Sequence, residues 1–97
     1  MALTSTEENY IKAIYHLSVD AEGAISTNGI AKEVSATAAS VTDMLKKLQQ
    51  KKIISYEKYK GVNLTKEGER IAKTVVRKHR LWEVFLVEKL KFNWDEV

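Results

Sequence analysis

The stretch TAASVTDMLKKLQQKK, residues Thr37–Lys52, restricts the fold more than any other. Its apolar residues Val41, Met44, Leu45 and Leu48 fall at i, i+3, i+4 and i+7, the stripe of a helix lying on a core. The opposite face carries Ala39, Asp43, Lys46 and Gln50, flanked by Ser40, Thr42 and Lys47. It is short-chained, polar and partly cationic, with nothing bulky in its first two turns. Such a surface lies flat in a DNA major groove, where small hydroxyls reach base edges and lysines reach phosphates. The same residues also suit an ordinary solvated helix face, so the neighbouring elements must decide between the two.

A chain of 97 residues suits one core large enough to fold without staples. It has no cysteine, hence no disulfide framework and no thiolate metal site. With no signal peptide and no apolar run near the roughly 18 residues a membrane span needs, it reads as soluble and cytoplasmic. Charge is unevenly spread. Residues 1–31 hold only Lys12 against Glu7, Glu8, Asp20 and Glu22, whereas residues 32–60 hold seven Lys against Glu33, Asp43 and Glu57. That central excess suits a polyanion partner.

The flanks supply context. A helix is expected from Ser5 to about Ser18, with Ser5 and Glu8 at capping-box spacing and Tyr10, Ala13, Ile14 and Leu17 facing inward. Asp20–Gly23 should turn, and Ile25 should be a short extended residue. Asn28 is placed to cap a second helix to about Val34, and Thr37 to cap the central one after a break at Ser35–Ala36. Two helices joined tightly in this way form a helix-turn-helix. Ile53–Lys58 and Val62–Thr65 read as two strands around a turn at Tyr59–Gly61, which sets Lys58 and Lys60 at the tip of a wing. The fold class is therefore mainly α with a small β-hairpin: a winged helix-turn-helix followed by a long linking or dimerisation helix. We place the winged helix-turn-helix at residues 1–72, with residues 73–97 continuing as the long linking or dimerisation helix. Ser26, Thr27, Asn28, Lys46, Lys47, Lys58 and Lys60 are the phosphate candidates.

Thr65 should cap a helix from Lys66 to about Leu90, with Glu67 and Glu69 at its positive end. It carries two apolar stripes: Ile71, Val75, Trp82 and Leu86, and Val76, His79, Glu83 and Val87. One should close the winged domain and the other meet a partner, with Trp82, Phe85, Leu86 and Leu90 as contact residues. His79 and Glu83 lie one turn apart on one face. Such a pair can share a divalent metal with other ligands, or simply form a hydrogen-bonded pair at an interface.

At this point the chain resembles the DtxR/MntR family of metal-dependent repressors, named for the diphtheria toxin repressor and the manganese transport regulator. The matching stretches are EENYIKAIYHL at 7–17, IAKEVSATAASVTDMLKKL at 30–48, YEKYKGVNLTKEG at 56–68 and VRKHRLWEVFL at 76–86. The resemblance implies a repressor of iron or manganese homeostasis genes, in which Fe²⁺ or Mn²⁺ reorients the two DNA-binding domains of a homodimer on double-stranded operator DNA. It sets His79 and Glu83 on family metal-ligand positions, and Asn9 on the first-helix ligand position, where relatives carry Met or Asp. Lys12 falls where manganese-type members have a second carboxylate, and an ammonium cannot ligate a metal. The resemblance also makes residues 73–97 the start of a helical dimerisation and metal-binding domain. The family's remaining ligands and most of its dimer helices follow the position of Val97, so the expectation is a truncated chain with an incomplete metal site. Thr37, Ala39, Ser40, Thr42 and Asp43 match positions at the start of the family's recognition helix, where Pro and Gln are frequent in place of Ala39 and Asp43.

Two other functions fit the residues: a metal-independent winged-helix regulator, and a winged helix serving protein interaction. Enzyme chemistry is not expected. There is no cysteine nucleophile, no glycine-rich phosphate loop and no Ser–His–carboxylate arrangement.

Overall fold

The computed structural model describes residues 3–21, 23–57 and 59–89. The element order is α1 (Ser5–Asp20), α2 (Thr27–Val34), α3 (Ala38–Gln50), β1 (Ile54–Glu57), β2 (Gly61–Leu64) and α4 (Lys66–Lys89). This is the mainly α architecture with one small hairpin, the winged helix-turn-helix running into a long helix. No helix among the described residues is long and apolar enough to cross a membrane.

Capping explains where the helices begin, and two starts differ from expectation. Thr4, not Ser5, caps α1: its Oγ1 accepts from Glu7 N at 3.0 Å, and Glu7 Oε1 accepts from Thr4 N at 2.9 Å. Ser26, not Asn28, caps α2 by accepting from Gly29 N at 3.0 Å. In both cases the hydroxyl residue that comes earlier in the chain takes the orphan donor, so the helix gains a residue or more. Thr37 and Thr65 cap α3 and α4 as expected. Between α2 and α3 the chain turns through Ser35 in the left-handed region (φ 56°), and Ala36 N donates to Ala31 O.

The core lies where α1, α2, α3 and the hairpin converge. Ile11, Ile14, Ile30, Val41, Leu45, Leu48, Ile53 and Val62 are fully buried there. Burial of this order contributes about 1.5–3 kcal/mol per large aliphatic side chain. The hairpin pairs Ile54 with Leu64 and Glu57 with Gly61. Ile25 joins it as a single extended residue, exchanging backbone hydrogen bonds with Val62 at 2.8 and 2.9 Å. Ala72 and Val75 bring α4 onto this core. Farther along α4 the stripe of Ile71 and Val75 leaves the core, and Trp82, a contact residue in the sequence reading, is 59% exposed.

Glu7 is the one buried charged residue of the described chain. Lys51, at the C-cap of α3, donates to Glu7 Oε2 at 2.5 Å and so ties the first turn of α1 to the end of α3. That ammonium, and then the Thr4 N–H, hold the Glu7 carboxyl below the ordinary carboxylate range. A depressed folded pKa adds stability that is complete above the unfolded value of about 4.3 and is lost as pH falls through the folded value. Melting temperature should therefore drop as the solution is acidified below about pH 4.3. Glu7→Gln should cost about 1–2 kcal/mol at neutral pH and make that acid limb shallower. Thermal melts across the acid range check this, and an equally steep limb in the variant would disprove the coupling.

Candidate nucleic-acid interface and the α1–α4 seam

Val41, Leu45 and Leu48 bury one side of α3, which leaves Ala39, Ser40, Asp43, Lys46 and Lys47 exposed on the other. Thr37 and Ser40 stand at its start: Thr37 Oγ1 accepts from Ser40 N and lies 3.0 Å from Ser40 Oγ. Thr42 is half-buried and donates to Ala38 O at 3.0 Å. The outward face thus offers methyl, hydroxyl, one carboxylate and two ammonium groups on a rigid rod, the dimensions and chemistry a major groove accepts.

The wing is fixed relative to this rod. Gln49 Nε2 donates to Tyr56 O at 3.2 Å, and Ile53 N to Leu48 O at 3.1 Å. Its turn uses Tyr59 at φ 70° and Gly61 at φ 103°. Only glycine fits at 61, since a Cβ there would lie 2.8 Å from Ile25 O. Lys60 stands exposed near the tip, 3.3 Å from Glu57 Oε2. Lys58 lies outside the described residues. Ser26 and Thr27 at the start of α2 share a cleft with Tyr56, Tyr59 and Lys60. The structure therefore brings Ser26 and Thr27 at the start of α2 together with Lys60 of the wing; Asn28 is exposed.

The seam between α1 and α4 holds the other candidates. His79 Nε2 lies 3.5 Å from Glu8 Oε1, Lys78 Nζ 2.5 Å from Glu8 Oε2, and Lys12 Nζ 3.9 Å from Glu83 Oε1. The Lys78 ammonium, and to a lesser degree His79, hold the Glu8 carboxyl below its ordinary range. Asn9 opens onto a cleft with Lys12, Ala13, His16, Glu33 and Val34. The carboxylate beside His79 is thus Glu8, one helical turn before Lys12, whereas the sequence reading pairs His79 with Glu83 and takes Asn9 as the first-helix donor, with Glu8 or Glu7 as a substitute carboxylate. Among the described residues no three His, Cys, Asp or Glu side chains are grouped so as to hold a metal ion. By themselves these residues do not fit a metal: each carboxylate is faced by an ammonium, which has no lone pair to donate.

Beyond the seam, Trp82 stacks on Phe85 with centroids 5.3 Å apart and planes 14° from parallel. With Leu81 they form an exposed apolar patch, while Leu86 is half-buried. Leu90 lies outside the described residues.

A helix-turn-helix, a wing fastened to its second helix and a long helix leaving the core define the winged-helix class of DNA-binding regulators. Comparison narrows this to a family. Residues 2–62 match the iron dependent repressor N-terminal DNA binding domain, and residues 65–97 its metal binding and dimerisation domain. The chain belongs to the iron-dependent repressor family. It is 39% identical over 83 residues to the HTH-type transcriptional regulator MntR of Bacillus subtilis (strain 168), covering 86% of this chain and 58% of the relative. The MntR of Oceanobacillus iheyensis is 37% identical, covering 86% and 56%. The chain thus spans rather more than half the length of these curated relatives. Among solved structures, the manganese regulator SloR is similar at 41% identity and a TM-score of 0.80, covering 97% of this chain and 43% of that one. The metal-dependent transcriptional regulator MtsR is similar at 34% identity and a TM-score of 0.80, covering 94% and 42%. The second profile begins at the N-terminus of α4, where the chain leaves the wing.

Proposed function

We propose that this chain is the DNA-reading portion of a metal-dependent transcriptional repressor that controls iron or manganese homeostasis in the cytoplasm. The observation that carries the reading is the exposed face of α3, set beside the wing in a chain whose family is one of repressors. Thr37, Ala39, Ser40, Thr42 and Asp43 address base edges. Ser26, Thr27, Asn28, Lys46, Lys47, Lys58 and Lys60 address phosphates. Asp43 repels phosphate but can accept from cytosine N4, which distinguishes the sequence this chain would read from one read by glutamine at that position. Residues 1–72 form the DNA-binding unit, and from 73 onward α4 serves assembly. Trp82, Phe85, Leu86 and Leu90 contribute to a homodimer interface.

The proposed metal is Fe²⁺ or Mn²⁺, with His79, Glu83 and Asn9 as this chain's candidate donors. SloR is described as a manganese regulator, and a ScaR structure holds Zn²⁺. One observation favours a second reading, a metal-independent winged-helix regulator: lysines face both carboxylates of the seam. Titrating Mn²⁺ into the intact gene product while following duplex binding by fluorescence anisotropy separates the two. Metal dependence predicts tighter binding with metal, and loss of that response in His79→Ala. Unchanged affinity would establish the second reading. Absence of affinity for any duplex at low salt would refute both.

A further inference from the structure

The α1–α4 seam contains the ingredients of a transition-metal site together with the groups that oppose one. Glu8 and Glu83 carry oxygen and His79 nitrogen, donor types suited to Mn²⁺ or Fe²⁺, but among the described residues the three are not grouped so as to hold an ion. Lys78 and Lys12 sit opposite those two carboxylates. Two ammonium charges balance two carboxylate charges, so the seam has no net negative charge to attract a dication. Lys12 comes from the same α1 face as Glu8, one turn on, and bridges to α4 from within the chain. Its side chain is about one-third exposed. It therefore meets water at the same edge by which an ion would approach Glu83.

We propose that Lys12 and Lys78 are the seam's tethered counter-cations, joining α1 to α4 without metal, and that Lys12 keeps divalent ions off Glu83. This rests on the reading of the chain as a metal-responsive regulator, and it names the residue that limits the response. A divalent ion reaches Glu83 only by displacing the ammonium, or by drawing on donors outside this seam.

The test titrates Mn²⁺ alone into the 97-residue chain, following heat by calorimetry and free ion by electron paramagnetic resonance. Lys12→Gln removes the cation, and Lys12→Glu replaces it with a carboxylate facing Glu83 and one helical turn from Glu8. Affinity should rise in that order, with Lys12→Glu at least about tenfold above the unaltered chain, the scale on which groups around a metal site act. Adding Glu8→Gln or His79→Ala to Lys12→Glu should remove the gain, which locates the ion in the seam. Circular dichroism confirms that each variant is folded. Equal Mn²⁺ affinity in the unaltered chain and Lys12→Glu, or no rise in folded Lys12→Gln, overturns the proposal. Duplex binding measured on the same samples reports separately on the DNA reading, because Lys12 belongs to neither α3 nor the wing. A gain in Mn²⁺ without duplex binding would refute that reading and leave this one standing.

Discussion

Replacing Lys46, Lys47 and Lys60 together by alanine should lower affinity for duplex DNA by about a hundredfold or more at roughly 0.1 M salt. Each lysine that neutralises a phosphate releases about one condensed counterion, so the slope of log K against log salt should become shallower by nearly one unit per contact, or close to three for the triple variant. Lys46 and Lys47 project from the exposed side of α3, and Lys60 from the wing that Gln49 fastens to it. Lys60 already pairs with Glu57, but both side chains are mostly in water. An exposed pair of this kind contributes only about 0–1 kcal/mol, so a phosphate displaces the carboxylate at little cost. All three sites are exposed, so stability should change by less than about 0.5 kcal/mol. Anisotropy titrations at several salt concentrations give both quantities. Lys73→Ala, a cation removed from the exposed surface of α4, is the comparison that should leave both nearly unchanged. A triple variant with the native slope would mean that this surface does not face the phosphate backbone.

Much of this arrangement is legible in the sequence because it follows from local rules. The 3.6-residue stripe of Val41, Leu45 and Leu48 defines the buried side of α3 and, by subtraction, its outward face. The hairpin follows from β-branched runs around Gly61, and Ile25 from its isolation between a turn and a cap. Where two capping hydroxyls compete, spacing alone does not choose. Ser5 and Glu8 fit the capping box as well as Thr4 and Glu7, but only Glu7 also meets Lys51, 44 residues away. The tertiary ion pair therefore adds to the frame that begins at Thr4. The seam was less legible for the same reason. Glu8, Asn9 and Lys12 differ by small rotations about α1, and which of them meets His79 depends on how α4 crosses, a long-range property without a periodic signature. Trp82 shows the converse limit: its stripe position matches Val75, yet it emerges from the core because its helix continues beyond the residues that bury Val75.

Gly68→Ala should lower stability by about 3 kcal/mol, even though alanine is the better helix former by about 1 kcal/mol. Gly68 is buried in the first turn of α4, and its N–H donates to Thr65 Oγ1 at 2.9 Å. A Cβ there would lie 1.9 Å from Ile53 O and 2.9 Å from Ile53 C, so the obstacle is backbone with no rotamer to change. Ile53 cannot withdraw freely. Its carbonyl accepts from Thr65 N at 3.1 Å and from Thr65 Oγ1 at 3.0 Å, and its side chain is fully buried. Relief requires α4 to lift from the corner between α3 and β1, which loosens the Thr65 cap and the packing of Ala72 together. For a domain of this size the loss corresponds to a melting temperature lower by about 12–24 °C. Gly23→Ala is the matched comparison, since a Cβ there meets nothing within 4 Å, and it should change stability by less than about 0.5 kcal/mol. Because Ile53 links α3 to the wing, the Gly68 variant should also lose duplex affinity as the two DNA-facing elements lose their fixed spacing. A Gly68→Ala protein that melts with the native chain would show that α4 does not approach Ile53 so closely, and the wing's attachment would then need another explanation.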